Sequence, residues 1–382
     1  MSTFNASFDP DVEVNVSLGS LTPTSNAFGR CLLIVPKASN SLNGNRTASY
    51  LTYQAAVTAN GLGYISAATL KGIRTIFAQT NVPAQGVLVG NVDLVAPEGY
   101  DDALLAIVAE DPVFYLICIL SRVSADIEAV SALVETMNDK AAAALATVPF
   151  KYCAFCAQTA DTTVLTGAYP AGLAGLEDRE YTILVFHPTS TEWFDASHQC
   201  RLSVDLSTVV PGWIKWPVRA VAAYPAGTIT ETQRLAAESI NVDLLLTFGN
   251  TANGLFVAGP GQNQAGRQMT EIVTAAWLAT DLQVVIANLF VALALVNEKL
   301  TVTPNGQQAI VASIQGVIET GIQAGSIRAT DDEGNAGYSI VAEPISDADK
   351  VAKQMRFSVV VLLPIGADKI VINIATTTTS VV

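Results

Sequence analysis

The run Phe114-Tyr-Leu-Ile-Cys-Ile-Leu120 is apolar at every position. So short and uniform a run reads as a strand covered on both faces, with helices above and below the sheet it joins. Residues 31–35, 86–90, 151–157, 182–186 and 243–248 read as further strands. Helical stretches separate them. One begins near Ser66 with Leu70, Ile73 and Phe77 on one face, and one covers 101–109. Another is capped by Ser124 and carries Ile127, Val130, Val134 and Met137; a fourth is capped by Thr230 and runs to Ser239. Strand–helix alternation across 86–248 predicts an α/β domain with a largely parallel or mixed sheet. Residues 38–63, polar and rich in Gly and Asn, are expected to be irregular.

The C-terminal part follows a different pattern. Residues 270–298 read as one long helix whose apolar positions wrap round more than one face, so it is expected to be buried over most of its surface, with Trp277 packed inside. Thr303 and Pro304 open a second helix with the stripe Ile310, Ile314, Val317, Ile318 and Ile322. Ser346-Asp-Ala-Asp349 is a capping-box pattern. Residues 357–362 and 369–375 are expected to form a closing strand pair turned at Gly366. The fold class predicted is therefore mixed α/β: a central α/β sandwich, a C-terminal α+β domain, and extended β arms at both termini.

The arms rest on patterning. Val12, Val14, Val16 and Leu18 alternate with Asp11, Glu13, Asn15 and Ser17, which gives a strand with one apolar face. Gly19 and Pro23 lie in the loop that separates it from the first core strand, and that loop, fully extended, spans roughly 20–25 Å at about 3.3 Å per residue. Ile370, Ile372 and Ile374 share a face of the last strand, and the β-prone 376–382 follow with no turn. A lone strand leaves its backbone groups and apolar face unsatisfied, so each arm needs the sheet edge of another subunit.

Half of the 382 residues are hydrophobic and 14% are charged, against about 25% in ordinary domains. Much of the surface is therefore expected to be covered by partners. The formal charge is −14, and both the first 255 residues and the rest are acidic. That leaves no basic footprint for phosphates and argues against direct nucleic-acid binding. The start Met1-Ser-Thr-Phe-Asn-Ala has neither a basic nor an apolar leader region, so no secretory signal is expected. Residues 282–296, interrupted by Gln283 and Asn288, are too short for a bilayer and are read as a buried core helix rather than a membrane insertion.

Signals for chemistry are weak. Cys153-Ala-Phe-Cys156, with His187 and His198-Gln-Cys200, could supply zinc ligands. The CxxC lies within a strand, however, which points the two sulfurs to opposite faces, whereas a redox pair sits at a helix N-terminus. Five scattered cysteines read as reduced thiols. The two histidines have no Gly-x-Ser-x-Gly partner. Gly259-Pro-Gly261 and Gly266 have the wrong spacing for a nucleotide loop, and Asp331-Asp-Glu-Gly334 lacks spaced calcium ligands. The Trp213/Trp216 pair reads as a packed corner. No catalytic, cofactor-binding or metal residue is assigned.

Several stretches, taken in order, resemble contractile, myovirus-type phage tail sheath proteins. These are the N-terminal strand with Leu21-Thr-Pro-Thr-Ser-Asn-Ala-Phe-Gly-Arg-Cys-Leu-Leu-Ile-Val35, then Phe77-Ala-Gln with Pro83 and Val87-Leu-Val-Gly90, then Asp111-Pro-Val-Phe-Tyr115 with Ser121-Arg122. Gly266, Trp277-Leu278, Thr303-Pro-Asn-Gly306 and Arg356 before a terminal β pair complete the series. The resemblance covers the chain apart from 38–60 and 158–230. It implies a middle domain somewhat like subtilisin in topology without its catalytic residues, and a C-terminal domain that packs near a tail tube. The expected division is 1–25 arm and linker, 26–255 middle or outer α/β domain, 256–368 inner domain facing the tube, and 369–382 C-terminal arm.

The function expected is structural and not enzymatic. Subunits polymerise helically around a tail tube by strand exchange, then contract to drive the tube through a host envelope. Partners implied are further copies of the chain, the tube protein, and baseplate and terminator proteins. The location implied is the virion tail, assembled in host cytoplasm. The alternatives are a tail tube or baseplate component, or an α/β thiol or zinc enzyme.

Overall fold

The computed structural model describes residues 28–37, 41–79, 82–93, 98–202, 217–224, 229–247, 255–258 and 261–364. In chain order the first half holds β1 (Cys31–Pro36), β2 (Thr47–Tyr50), α1 (Tyr53–Gly61), α2 (Ala67–Phe77), β3 (Val87–Val92), α3 (Tyr100–Glu110), β4 (Leu116–Ile119), α4 (Ser124–Asn138), α5 (Lys140–Ala146) and β5 (Ala154–Thr159). Then come β6 (Thr182–Phe186), α6 (Phe194–Leu202), β7 (Pro217–Val218), α7 (Glu231–Glu238), β8 (Val242–Thr247) and β9 (Leu255–Ala258). The chain continues with α8 (Met269–Leu295), α9 (Pro304–Ala324), β10 (Tyr338–Ala342), α10 (Asp347–Ala352) and β11 (Phe357–Val361).

Among the described residues the main sheet runs β2-β3-β1-β4-β5-β6-β8-β9-β7. The six strands from β3 to β8 are parallel, and β2, β9 and β7 add antiparallel edges. Helices cover both faces, which is why its strands read as continuous apolar runs. Leu32, Ile117, Phe155 and Leu184 pack with Ile107 of α3 and Val130 and Val134 of α4. Leu33, Cys118, Cys156 and Val185 point the other way, into a core shared with Ile73 of α2, Phe194 of α6 and Trp277 and Leu278 of α8.

Several expected helix starts hold in atomic detail. The side chains of Ser66, Thr230, Thr303 and Ser346 each accept a backbone N–H of the helix they open, and Pro304 occupies the first turn after Thr303. Ser124 differs. It is the first residue of α4, and Val123 takes the cap without a side-chain bond. Ser121 compensates by accepting Val123 N–H at 3.1 Å.

Residues 38–63 are not irregular throughout, because β2 and α1 lie there. Thr52 caps α1, and only Ala56 and Ala59 are buried on it, so its apolar signal is faint. The helix α6 falls in a stretch that showed no helical pattern, and its polar residues face inward: Asp195, Ser197 and His198 are buried. At Gly72 of α2 a Cβ would sit 2.8 Å from the Trp193 ring, so glycine permits α2 to press against the start of α6.

The long helix is buried as far as Ile286, with Leu289 and Phe290 partly covered, and is exposed beyond them. Met269, Ile272, Val273, Trp277, Leu278 and Leu282 are enclosed, whereas Val291, Leu295 and Val296 are 57%, 80% and 64% exposed. Gly321 of α9 admits this enclosed part, since its Cβ would lie 3.3 Å from Trp277 and 2.7 Å from Ile327. Its apolar pattern therefore continues past the end of its burial. Leu293→Asp, in the last turns beyond the buried residues, is expected to fold with stability changed by roughly 0.5 kcal/mol or less, as a surface change does. Leu278→Asp is expected to give insoluble protein, because it buries an unpaired charge. Soluble expression and melting curves of the two variants check this, and matched behaviour would contradict it.

Candidate assembly site

In open α/β sheets, ligands bind at the C-terminal ends of the parallel strands. Here that region is filled by the start of α6. Arg122, at the exit of β4, forms a two-pronged bond with buried Asp195 (Nη1–Oδ2 2.8 Å, Nη2–Oδ1 3.2 Å) and also donates to the carbonyls of Ile119 and Glu192. Its guanidinium lies 5.4 Å from the Trp193 ring centre. From β5, Gln158 donates to the Glu192 carbonyl and accepts Phe194 N–H. Lys71 of α2 closes on Glu192 at 2.6 Å. Burial pushes the Asp195 carboxyl up and Arg122 draws it back. Each charge here is met by a protein group, so the start of α6 plugs the strand ends.

The cysteines follow the same logic. Cys153 packs on one face of the sheet and Cys156 on the other, as strand geometry requires. Cys31, Cys118, Cys153 and Cys156 are free and buried. Burial pushes the Cys118 and Cys156 thiols well above their ordinary range and Cys153 up to about 12. A thiolate nucleophile is therefore disfavoured at these positions. Each is expected to resist a thiol reagent in native protein and to react on unfolding, with Cys200 not covered by this expectation. Rapid native labelling of Cys153 or Cys156, mapped by mass spectrometry, would contradict it.

His187 is held by backbone, with Thr189 N–H donating to Nδ1 at 3.1 Å and Nε2 lying 3.0 Å from the Ala222 carbonyl. His198 stands beside Asp243 instead. Among the described residues no three His, Cys, Asp or Glu side chains converge as a metal would need. Asp331 spends its carboxylate on the Glu333 and Asn335 N–H groups and the Asn335 amide, closing its own turn.

The second sheet is β10 paired antiparallel with β11. Leu362 N–H donates to the Gly337 carbonyl at 2.8 Å, and Glu343 N–H to the Arg356 carbonyl at 3.0 Å. Bonded pairs alternate along an antiparallel ladder. The register Ser339↔Val360 and Val341↔Ser358 therefore carries the remaining bonds. The backbone groups of Tyr338, Ile340 and Ala342, and those of Phe357, Val359 and Val361, consequently point away from the hairpin. Both outer edges carry no further strand among the described residues. One face is anchored, with Val359 and Val361 buried and Tyr338, Ile340 and Phe357 packed on the same core. Beside β10 an open concavity of about 390 Å³ is lined by Pro304, Val311, Ala312 and Gln315 of α9 and by Ala342.

Sequence reading found β11 but missed β10. The usable signal was the alternation Tyr338, Ile340 in register with Val361, Val359. The assigned arm residues Val12, Val14, Val16, Leu18, Ile370, Ile372 and Ile374, and the turn at Gly366, lie outside the described residues, as do Trp213 and Trp216.

No protein-family model and no curated protein sequence matches the chain. Its fold, however, is that of solved contractile-system proteins. A chain of the anti-feeding prophage baseplate, six-fold symmetrised, matches with a TM-score of 0.63 at 12% identity over 92% of this chain and 94% of that one. The anti-feeding prophage helical sheath in its contracted state gives 0.60 at 11%, over 93% and 95%. The sheath complex of PVC, an extracellular contractile injection system, also contracted, gives 0.57 at 12%, over 93% and 94%.

Proposed function

We propose that this chain is a contractile sheath subunit, a structural protein that polymerises helically around a tube and shortens to drive it forward. The observation that carries the reading is the end-to-end likeness to two contracted sheath chains, over more than nine-tenths of both partners. The filled strand ends and inert thiols support a structural role over the thiol or zinc enzyme. In this reading residues 26–255 form the outer body and 256–368 the inner, tube-facing part. The particle is a phage tail or a tail-like injection device, built in the producing cell, with tube, baseplate and terminator proteins as its other contacts.

The outer edges of the β10–β11 hairpin, unpaired among the described residues, fit the need of the arms. Residues 11–18 and 369–382 of neighbouring copies add strands there, with alternate apolar side chains over α9. Electron microscopy of the purified full-length chain tests the reading. Hollow tubes are expected, and a chain that stays monomeric at high concentration would overturn it. A subunit confined to the baseplate is the second reading, favoured by the baseplate match; it predicts rings or short stacks in place of long tubes.

A further inference from the structure

Outside the arms and the strand-end plug, one buried cluster serves no purpose described so far. His198 of α6 and Asp243 of β8 are fully enclosed, with Nε2 2.9 Å from Oδ2. The contact has ion-pair distance without hydrogen-bond alignment. The other carboxylate oxygen of Asp243 accepts Gly261 N–H at 3.0 Å. Gly261 in turn accepts, through its carbonyl, the N–H of Met269, the first residue of α8. One carboxylate thus joins a helix on the sheet face, a strand of the sheet, and the loop from which α8 departs. We propose that His198 and Asp243 form a latch that couples α6 to the root of α8, so that the α/β body and the C-terminal helices move as one unit.

The physical case rests on burial. A carboxylate removed from water is held by its partners, and losing one partner lets it turn toward whatever else satisfies it. His198 fixes the Asp243 carboxylate from one side, which leaves its second oxygen aimed at Gly261. Removal of the histidine therefore acts at a distance, on backbone groups it does not touch. The remainder of the loop is tied separately. Gln264 N–H donates to the Thr182 carbonyl at 3.0 Å and Ala265 N–H to the Arg179 carbonyl at 3.1 Å. The effect is accordingly confined to the two ends of the loop, Gly261 and Met269.

The test is amide hydrogen exchange on full-length protein kept below its assembly concentration. In His198→Gln, peptides covering 258–272 are expected to exchange roughly tenfold faster or more, the scale of one charge-assisted hydrogen bond lost. Peptides covering α2 and α4 are expected to stay unchanged. Asp243→Asn, nearly the same shape, is expected to give the same pattern, and the double variant no more than either single, as for a pair that acts together. Faster exchange in α6 alone would overturn the proposal, and so would a uniform rise across the chain, which describes ordinary core filling. The readout comes from unassembled protein, so it stands or falls independently of whether the chain forms a sheath.

Discussion

A chain lacking residues 1–18 is expected to fold and remain soluble, yet to form no tubes. The described residues, from Phe28 on, build the two-faced sheet and a hydrophobic core on each of its faces. Burying Val12, Val14, Val16 and Leu18 on a neighbour gives on the order of 6–10 kcal/mol gross, at about 1.5–3 kcal/mol each. Ordering the arm costs about 1–2 kcal/mol per residue, so a single arm is marginal. Many arms on a lattice act together through effective concentration, which makes assembly all-or-none in arm strength. Since every 1.4 kcal/mol is about tenfold in affinity, removing the whole apolar face is expected to raise the assembly concentration beyond reach. Val14→Asp, one charge in the middle of that face, is expected to do nearly the same. Pelleting assays on the three proteins check this. Normal polymerisation of the deletion variant would contradict strand donation by this arm.

The second large effect is expected at the strand-end plug. Arg122→Met keeps the stem of the side chain but leaves the Asp195 carboxylate enclosed without its cation. Breaking a buried pair from one side costs roughly 3–5 kcal/mol, because an uncompensated charge remains. The carbonyls of Ile119 and Glu192 lose a donor at the same time. Adding Asp195→Leu to that variant is expected to restore much of the loss, since an apolar pair of similar volume needs no hydration. Denaturant titration measures both. A loss under about 1 kcal/mol for Arg122→Met would mean that water reaches Asp195 and that the region is more open than its geometry describes.

The strand-end plug also marks where sequence reading stops, and the sheet around it where sequence reading works. The parallel sheet was legible because covering both faces makes strands apolar at successive positions, as in 114–120 and 183–186. The starts of α7, α9 and α10 were legible because a capping side chain is a local signal. The helix α6 was not, because it turns Asp195, Ser197 and His198 toward the core, and those residue types ordinarily mark a solvated face. Asp195 and His198 are met by Arg122 and Asp243, both distant in sequence, and Ser197 donates to the Phe194 carbonyl within its own turn. For α8 the periodicity gave the helix but not the extent of its burial, since an apolar residue reads the same whether its cover comes from its own chain or from another. The β10–β11 hairpin was half legible, because β10 exposes every second residue and Ser339 and Glu343 dilute its pattern.

The measurement that bears most directly on the account is a helical reconstruction of the assembled chain at a resolution that traces backbone. Extra strands are expected along the outer edges of β10 and β11, contributed by residues 11–18 and 369–382 of neighbouring copies, with Val12, Val14, Val16 and Leu18 facing the core side. Assembled subunits whose hairpin edges stay open to solvent, or are paired only by their own chain, would contradict it.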